Sequence, residues 1–312
     1  MSKRLDEILG IKYPFFQGGM ANIATGAFAA AVSNAGGLGL IAGGGLDAAS
    51  LEKEIHDAKK LTDKPFGVNV MLMNPHVDEV AELCAREQIK VITTGAGNPA
   101  KYMSMWKEQG TLVIPVMSST LIAQRLVKNG ADMIIAEGCE SGGHIGEMTT
   151  MALVPQMVDA LSVPVIAAGG IADGRQLAAA FALGACGVQL GTCLLASVEC
   201  PIHDNYKQAV IKAKDNDTIV TGRIGGTPVR ILKNKMAKEY VKREKEGADK
   251  MELEQFTLGS LRRAVFDGDT ETGSLMAGQV AGQVKEIRPI ADIFADLWDG
   301  AKDTIAALSE IK

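Results

Sequence analysis

Membrane spans and disulfide frameworks are both missing from this sequence. The 312 residues contain no run of about 18 uncharged apolar residues, and the first ten, MSKRLDEILG, have no apolar signal core. The five cysteines are an odd number and form no C-x-x-C pair, which fits neither a disulfide framework nor a zinc site. We therefore expect a cytoplasmic protein with reduced cysteines and no membrane partner.

Aromatic residues and positive charge are also in short supply. Phe, Trp and Tyr make up 4% of the chain, and the formal net charge is −5. Such a chain has few stacking surfaces and no global attraction to polyanions, so we expect no nucleic-acid partner. Glycine, in contrast, is abundant at 35 residues, and the apolar content of 47% is enough for a large core. Many tight turns are implied.

Short β-rich apolar runs alternate with segments of helical spacing over the first 200 residues. This alternation predicts a parallel sheet, because parallel strands need crossover connections. Eight such units favour a closed (β/α)₈ TIM barrel, with an open doubly wound sheet as the alternative; in both, ligands bind at the carboxyl ends of the strands. The strands are marked by Phe15, Leu40, Val68, Ile92, Val113, Ile134, Val165 and Val188.

The rhythm changes after the eighth strand. Residues 201–270 contain charged helical stretches such as KNKMAKEYVKREKEG, which do not continue the barrel pattern. We predict a small helical subdomain inserted here. Residues 1–200 and 271–312 would then form the barrel and its C-terminal cover.

Glycine-rich ends follow the last two strands, as AAGGIADG at 167–174 and QLGT at 189–192. In a (β/α)₈ barrel, the loops after strands seven and eight often hold a phosphate through free backbone N–H groups. Glycine lets the backbone approach the phosphate closely, and the Thr192 hydroxyl can add a donor. A single glycine-rich turn would indicate only a tight connection. Two adjacent ones favour a phosphate site for a flat, phosphorylated cofactor such as flavin mononucleotide (FMN).

The stretch EGCESGGHIGEM at 137–148 places ionisable side chains around two glycines. His144 follows the glycine pair on the loop after strand six, where it could donate or orient a proton, or merely cap the backbone. Glu137 could bind a cofactor hydroxyl or ring N–H, or form a salt bridge. Glu140 and Glu147 are expected to be solvated, and Cys139 has no nucleophile signature. The sequence shows no Ser/His/Asp arrangement, metal-ligand spacing or P-loop.

Six segments together resemble the FMN-dependent enoyl-acyl-carrier-protein reductase II, of a superfamily shared with nitronate monooxygenases. In order along the chain they are FFQGGMA at 15–21, GVNVML at 67–72, EGCESGGHIG at 137–146, PVIAAGGIADG at 164–174, GVQLGTCLLASVE at 187–199 and AGQVAG at 277–282. The resemblance implies a barrel that holds FMN. It also implies reduction of trans-2-enoyl thioesters with NADH or NADPH, the last step of bacterial fatty-acid elongation.

The resemblance also assigns roles to residues. His144 matches the active-site histidine, and Ser141 and Gly142 lie where substrate binds. The cofactor residues would be Gly19, Met20, Asn69, Glu137, Gly143, Gly169, Gly170, Gln189, Gly191, Thr192, Met276 and Gln279. No metal ligand is implied, although the loop at 219–228 could offer carbonyl groups to a monovalent cation. A homodimer is expected from the family alone.

Two other functions stay open. A nitronate monooxygenase would share the barrel, FMN and the histidine, but would use oxygen instead of a pyridine nucleotide; Ser141 and Ile145 in ESGGHIG favour the reductase. A non-catalytic sensor of a phosphorylated ligand would bind without turnover. The reductase predicts an acidic partner, acyl carrier protein, for which the basic residues of the helix predicted at 232–246 are one docking face; the alternative is a solvated helix.

Overall fold

A computed structural model describes residues 3–225 and 227–311. Eight parallel strands form the central sheet, and each predicted strand marker lies in one of them. Three short strands form a second sheet. In chain order the strands are β1 Phe15–Gln17, β2 Gly39–Ala42, β3 Phe66–Met71, β4 Val91–Gly95, β5 Leu112–Met117, β6 Ile134–Glu137, β7 Gly143–His144, β8 Val165–Ala168, β9 Gly187–Leu190, β10 Thr218–Thr221 and β11 Val229–Leu232.

The large sheet is a barrel. Its strand order is β1-β9-β8-β6-β5-β4-β3-β2, and a parallel bridge between Phe16 and Leu38 joins the two end strands. This closure confirms the predicted (β/α)₈ TIM barrel and shows that the open doubly wound alternative was wrong. The carboxyl ends of all eight strands therefore meet on one face.

Helices connect successive barrel strands and cover the outside of the sheet. Residues Arg263–Asp267 form a π-helical turn and Gln279–Gln283 a 3₁₀ turn. The α-helices are α1 Leu5–Leu9, α2 Gly26–Asn34, α3 Ala48–Leu61, α4 Val77–Arg86, α5 Ala100–Glu108, α6 Thr120–Lys128, α7 Thr150–Ala160, α8 Gly174–Ala182, α9 Thr192–Leu195, α10 Asp204–Lys212, α11 Lys235–Lys245, α12 Lys250–Thr257, α13 Ser260–Arg262 and α14 Ile290–Ser309. Among the described residues, none of these helices is long and apolar enough to cross a membrane.

The interior of the barrel is packed at the amino ends of the strands. Phe16, Leu40, Ile114 and Ile135 belong to one buried apolar cluster, which we call the apolar plug. Leu5 of α1 is also part of this cluster. A Cβ added at Gly187 would lie 2.7 Å from the Leu5 side chain, so α1 closes this end tightly. Any ligand must enter from the opposite face.

Residues 201–270 are not purely helical, so this part of the prediction was wrong. Strands β10 and β11 form an antiparallel hairpin, and β11 also pairs with β7. The stretch before the helix predicted at 232–246 lacks helical periodicity, and its extended form is stabilised by pairing with a distant loop. Buried side chains of α10 and β11, Tyr206, Val210 and Leu232, belong to the same apolar cluster as barrel residues.

The C-terminal segment returns to the barrel. Helix α14 packs on α8, where a Cβ at Gly174 would meet the Gly300 backbone at 2.3 Å. Trp298 lies edge-on to Tyr13 and Phe15, with ring centroids 6.2 and 6.5 Å away. Trp298 therefore packs in the apolar core, as its place in an amphipathic helix predicts.

Candidate active site

Four polar side chains form a layer inside the barrel, between the apolar plug and the carboxyl ends of the strands. Because side chains alternate along a strand, a residue two positions after a plug residue also points inward. Ile135 belongs to the plug, so Glu137 points to the barrel axis. The hydroxyl of Thr93 donates to Asn69 Oδ1 at 2.9 Å, which leaves the Asn69 amide N–H groups available. The layer consists of Asn69, Thr93, Glu137 and Gln189.

Gly19 lies directly against this layer. A Cβ at this position would lie 2.4 Å from Cγ of Asn69, closer than real atoms approach. The backbone after β1 therefore passes over the Asn69 amide only because residue 19 has no side chain. Met20, the next predicted cofactor residue, extends toward the carboxyl end of β9, where its sulfur is 3.9 Å from the Cβ position of Gly191.

Glu137 is the one carboxyl group of this four-residue layer, and its pKa is perturbed. Burial raises its pKa to about 7, because the charged form loses hydration, and the nearby Ser141 hydroxyl offsets this only in part. The side chain nevertheless keeps some accessible surface. A carboxyl group that is surrounded by protein and still accessible must face a recessed space. The Ser141 hydroxyl is itself buried and has no hydrogen-bond partner of good geometry among the described residues.

Free backbone donors lie at the ends of β8 and β9. Gly169 and Gly170 have φ angles of +90° and +76°, which glycine adopts without strain. The N–H groups of Gly170, Gly191 and Thr192 donate to no acceptor in the described part of the chain. Thr192 Oγ1 accepts the Gly278 N–H at 2.8 Å, and its own proton remains available. This donor set suits a phosphate group.

His144 is held on a strand beside the barrel mouth. It pairs with Val229 as part of β7, and Ile145 N–H donates to the carbonyl of Pro228 at 3.1 Å. The side chain is exposed, yet enough protein surrounds it for desolvation to lower its pKa below the usual value. The imidazole is therefore mostly neutral at pH 7, and it makes no hydrogen bond to any described residue.

Two of the three other histidines differ from His144 in this respect, whereas the exposed His76, at the start of α4, makes no side-chain hydrogen bond to a described residue either. His56 is exposed and lies 3.4 Å from a carboxylate oxygen of Glu87. His203 uses Nδ1 to accept the N–H of Asn205 at the start of α10. These two rings have surface and capping roles. The loop of His144 also carries Ser141, which lies beside Glu137, so His144 is the histidine best placed for chemistry.

The C-terminal segment lies over the glycine pair. A Cβ at Gly142 would be 2.6 Å from the Ala277 backbone, and one at Gly143 would be 3.5 Å from the Met276 sulfur. Gln279 donates its backbone N–H to the Glu140 carbonyl at 2.9 Å, while its side chain is exposed. Met276 is thus beside the loop of His144, and Gln279 contacts this loop through its backbone.

Sequence patterns did not identify two residues that shape the site. Arg230 is buried and donates to the Cys139 carbonyl through Nε and Nη2, at 3.1 and 2.9 Å. Tyr206 is fully buried and donates its hydroxyl to the Met276 carbonyl at 2.8 Å. Both bonds span more than 60 residues of sequence, so no local motif could reveal them.

Glu140 differs from expectation. It is not a solvated residue: its carboxylate accepts the Thr150 N–H at 2.9 Å and the Thr150 hydroxyl at 3.0 Å, at the start of α7. Negative charge at a helix N-terminus is favourable. Glu147 is exposed, as predicted, and lies 3.3 Å from Arg223. Burial raises the pKa of the Cys139 thiol, which disfavours a nucleophilic thiolate.

The predicted residues therefore form two groups at one face of the barrel, one of polar side chains inside the barrel and one of free backbone donors at the ends of β8 and β9. Their chemistry fits FMN, which has a polar ring edge at one end and a phosphate at the other. The loop at 219–228, predicted to offer carbonyl groups to a cation, includes Gly226, which lies outside the described residues.

Enzymes with a closed (β/α)₈ barrel have their active sites at the carboxyl face, where this chain places these groups. The family model described as nitronate monooxygenase matches residues 2–90 and 77–300. The chain belongs to this family and is an oxidoreductase of the nitronate monooxygenase superfamily.

Individual relatives point to several activities. A Mycobacterium tuberculosis protein named (3aS,4S,5R,7aS)-5-hydroxy-7a-methyl-1-oxo-octahydro-1H-indene-4-carboxyl-CoA dehydrogenase is 32% identical, over 91% of each chain. A Staphylococcus saprophyticus protein named probable nitronate monooxygenase is 33% identical, over 89% of this chain and 92% of that protein.

Solved structures give a closer match. FabK from Thermotoga maritima superimposes with a TM-score of 0.96 and 48% identity over 99% of each chain. Nitroalkane oxidase from Streptomyces ansochromogenes gives a TM-score of 0.87 and 27% identity, over 97% of this chain and 99% of that one. The resemblance predicted from the sequence is confirmed.

Proposed function

We propose that this chain is an FMN-dependent enoyl-acyl-carrier-protein reductase that uses NADH or NADPH. The observation that carries the proposal is the near-complete match to FabK, which is an enoyl-acyl-carrier-protein reductase II. The chain is 48% identical to FabK and 27% identical to the nitroalkane oxidase. The loop ESGGHIG, which resembles the reductase, supports the same choice.

The barrel residues would hold the cofactor at both ends. Gly170, Gly191 and Thr192 would donate N–H groups to the FMN phosphate, and Asn69 and Glu137 would contact polar atoms of the ring. With a pKa of about 7, Glu137 can donate a hydrogen bond as a carboxylic acid or accept one as a carboxylate. When bound, FMN supplies the hydride-transfer chemistry that these side chains lack.

His144 and its loop would act on the substrate. Addition of hydride to the β-carbon of an enoyl thioester places negative charge on the thioester oxygen, and a proton must then reach the α-carbon. A neutral imidazole offers one N–H donor, which can stabilise the oxygen. The buried Ser141 hydroxyl lies near Glu137 but forms no hydrogen bond of good geometry with a described residue, so it is a second polar group available on this loop.

An anaerobic assay tests this function. The FMN-loaded protein is reduced with NADH or NADPH and mixed with a crotonyl thioester, and the product is identified by mass spectrometry. The proposal expects the saturated butyryl thioester. Flavin that is reduced by a pyridine nucleotide but reoxidised only by oxygen would contradict it.

Nitronate monooxygenase is the second candidate, because the family model and several curated relatives carry that name. In that reaction His144 would take a proton from a nitroalkane, and oxygen would be the oxidant. Turnover of nitroethane in air without a pyridine nucleotide would favour this candidate. Bound FMN without either activity would instead favour a sensor.

A further inference from the structure

Helix α11 presents a line of lysines to solvent. Lys235, Lys238, Lys242 and Lys245 are spaced by three, four and three residues, which places them on one helical face. Met236, Ala237 and Glu244 occupy the buried side of the helix. We call the four lysines the basic stripe. It is a local concentration of positive charge on a chain whose net charge is −5.

The charge of the basic stripe is only partly neutralised. Lys235 forms an ion pair with Glu271, and Lys242 lies 4.0 Å from Glu246. Lys238 and Lys245 have no carboxylate within 4.0 Å in residues 3–225 and 227–311. A side-chain pair at the limit of contact is weak at a solvated surface. The stripe therefore offers ammonium groups to an external anion.

The helix that carries the basic stripe also contacts the hairpin that pairs with the strand of His144. It starts just after β11, and its Glu244 reaches the turn of the β10–β11 hairpin, where Oε1 accepts the N–H groups of Ile224 and Gly225 at 2.9 and 3.4 Å. Helix α11 thus runs back along the hairpin. Because β11 pairs with the strand of His144, the stripe and the imidazole belong to one connected unit at the carboxyl face of the barrel.

We propose that the basic stripe is the docking surface for an acidic carrier protein that delivers an enoyl thioester to the site of His144. This inference rests on the proposed reductase function. A carrier-bound substrate has a flexible arm that enters the cavity, while the carrier itself must bind outside. Complementary charge speeds such encounters and orients the partner without a large apolar contact.

The test compares two substrates with matched triple variants. One variant carries Lys238→Glu, Lys242→Glu and Lys245→Glu. The control carries Lys64→Glu, Lys90→Glu and Lys128→Glu, an equal change of charge at exposed positions near the amino ends of the strands. A third variant, with glutamine at the three stripe positions, keeps good helix formers in case charge reversal disturbs α11. Each FMN-loaded protein is assayed with crotonyl-acyl carrier protein and with the uncharged crotonyl-pantetheine.

We expect kcat/KM for the carrier substrate to fall about tenfold or more in the reversal variant and less in the glutamine variant, since steering accounts for factors of this size. The value for crotonyl-pantetheine should not change, and the control should match the parent with both substrates. Equal losses on both substrates, or no selective loss on the carrier, would overturn the docking surface.

Binding of fluorescently labelled holo-acyl carrier protein, measured by anisotropy, separates this inference from the proposed function. A parent protein that reduces no enoyl thioester would contradict the function. Carrier binding that still weakens only in the stripe variants would nevertheless support the docking surface. Absence of binding to the parent would overturn it.

Discussion

Glu137→Gln tests the environment inside the barrel mouth. Burial raises the pKa of the Glu137 carboxyl group from 4.5 to about 7. At a pH between these two values, the folded protein keeps the Glu137 proton, whereas the unfolded chain has released it. The stability that this proton contributes is thus fully present below pH 4.5 and is lost as the pH rises through 7. This rise in the carboxyl pKa corresponds to about 3 kcal/mol, because each pKa unit is worth ~1.36 kcal/mol.

Most of this loss of stability occurs in a pH range in which unfolding is easy to measure. Between pH 5 and pH 8 the free energy of unfolding of the FMN-free parent should fall by about 2–3 kcal/mol relative to Glu137→Gln, whose amide does not titrate. Urea unfolding, followed by circular dichroism and tryptophan fluorescence at both pH values, gives this difference. Glu147→Gln, an exposed change on the same loop, is the control. An identical pH dependence in the parent and Glu137→Gln would refute the reasoning.

Three further substitutions test other parts of the site. His144→Ala should slow reduction of the enoyl substrate by about 10²–10⁴ while FMN reduction by NAD(P)H changes little; stopped-flow rates of the two half-reactions that fall equally would exclude the role. Gly19→Ala should weaken FMN binding, because its Cβ would lie 2.4 Å from the Asn69 side chain; flavin titration measures this, and unchanged affinity would contradict the close approach. Tyr206→Phe removes the hydrogen bond to the Met276 carbonyl and should cost about 1 kcal/mol of stability in urea unfolding; an unchanged midpoint and slope would show that this bond contributes nothing.

The barrel could be predicted because its signals are local. Each strand is a short apolar run followed by turn residues, and each crossover helix has its own amphipathic spacing, so periodicity alone identifies the eight units. The positions of Gly169, Gly170 and Gly191 could also be predicted, since they stand at strand ends whose place in a barrel is fixed by topology; that they bind a phosphate stays a prediction.

The setting of His144 could not be predicted in the same way. Strand β7 has only two residues and exists because β11 pairs with it from a distant part of the chain. Arg230 fixes this arrangement through a carbonyl 91 residues away. Glu140 was misread for a similar reason, because the helix start that it caps is set by the loop's tertiary path. A charged residue beside two glycines looks the same whether it is solvated or capping.

The proposed function requires that the barrel mouth bind FMN and that the reduced flavin pass its reducing equivalents to an enoyl thioester. The most direct measurement follows the flavin absorbance of protein reduced anaerobically with one equivalent of NADH or NADPH and then mixed with crotonyl-pantetheine. Our account predicts that the oxidised spectrum returns without oxygen and that butyryl-pantetheine forms in equal amount. A flavin that stays reduced until air is admitted, with the crotonyl thioester unchanged, would contradict it.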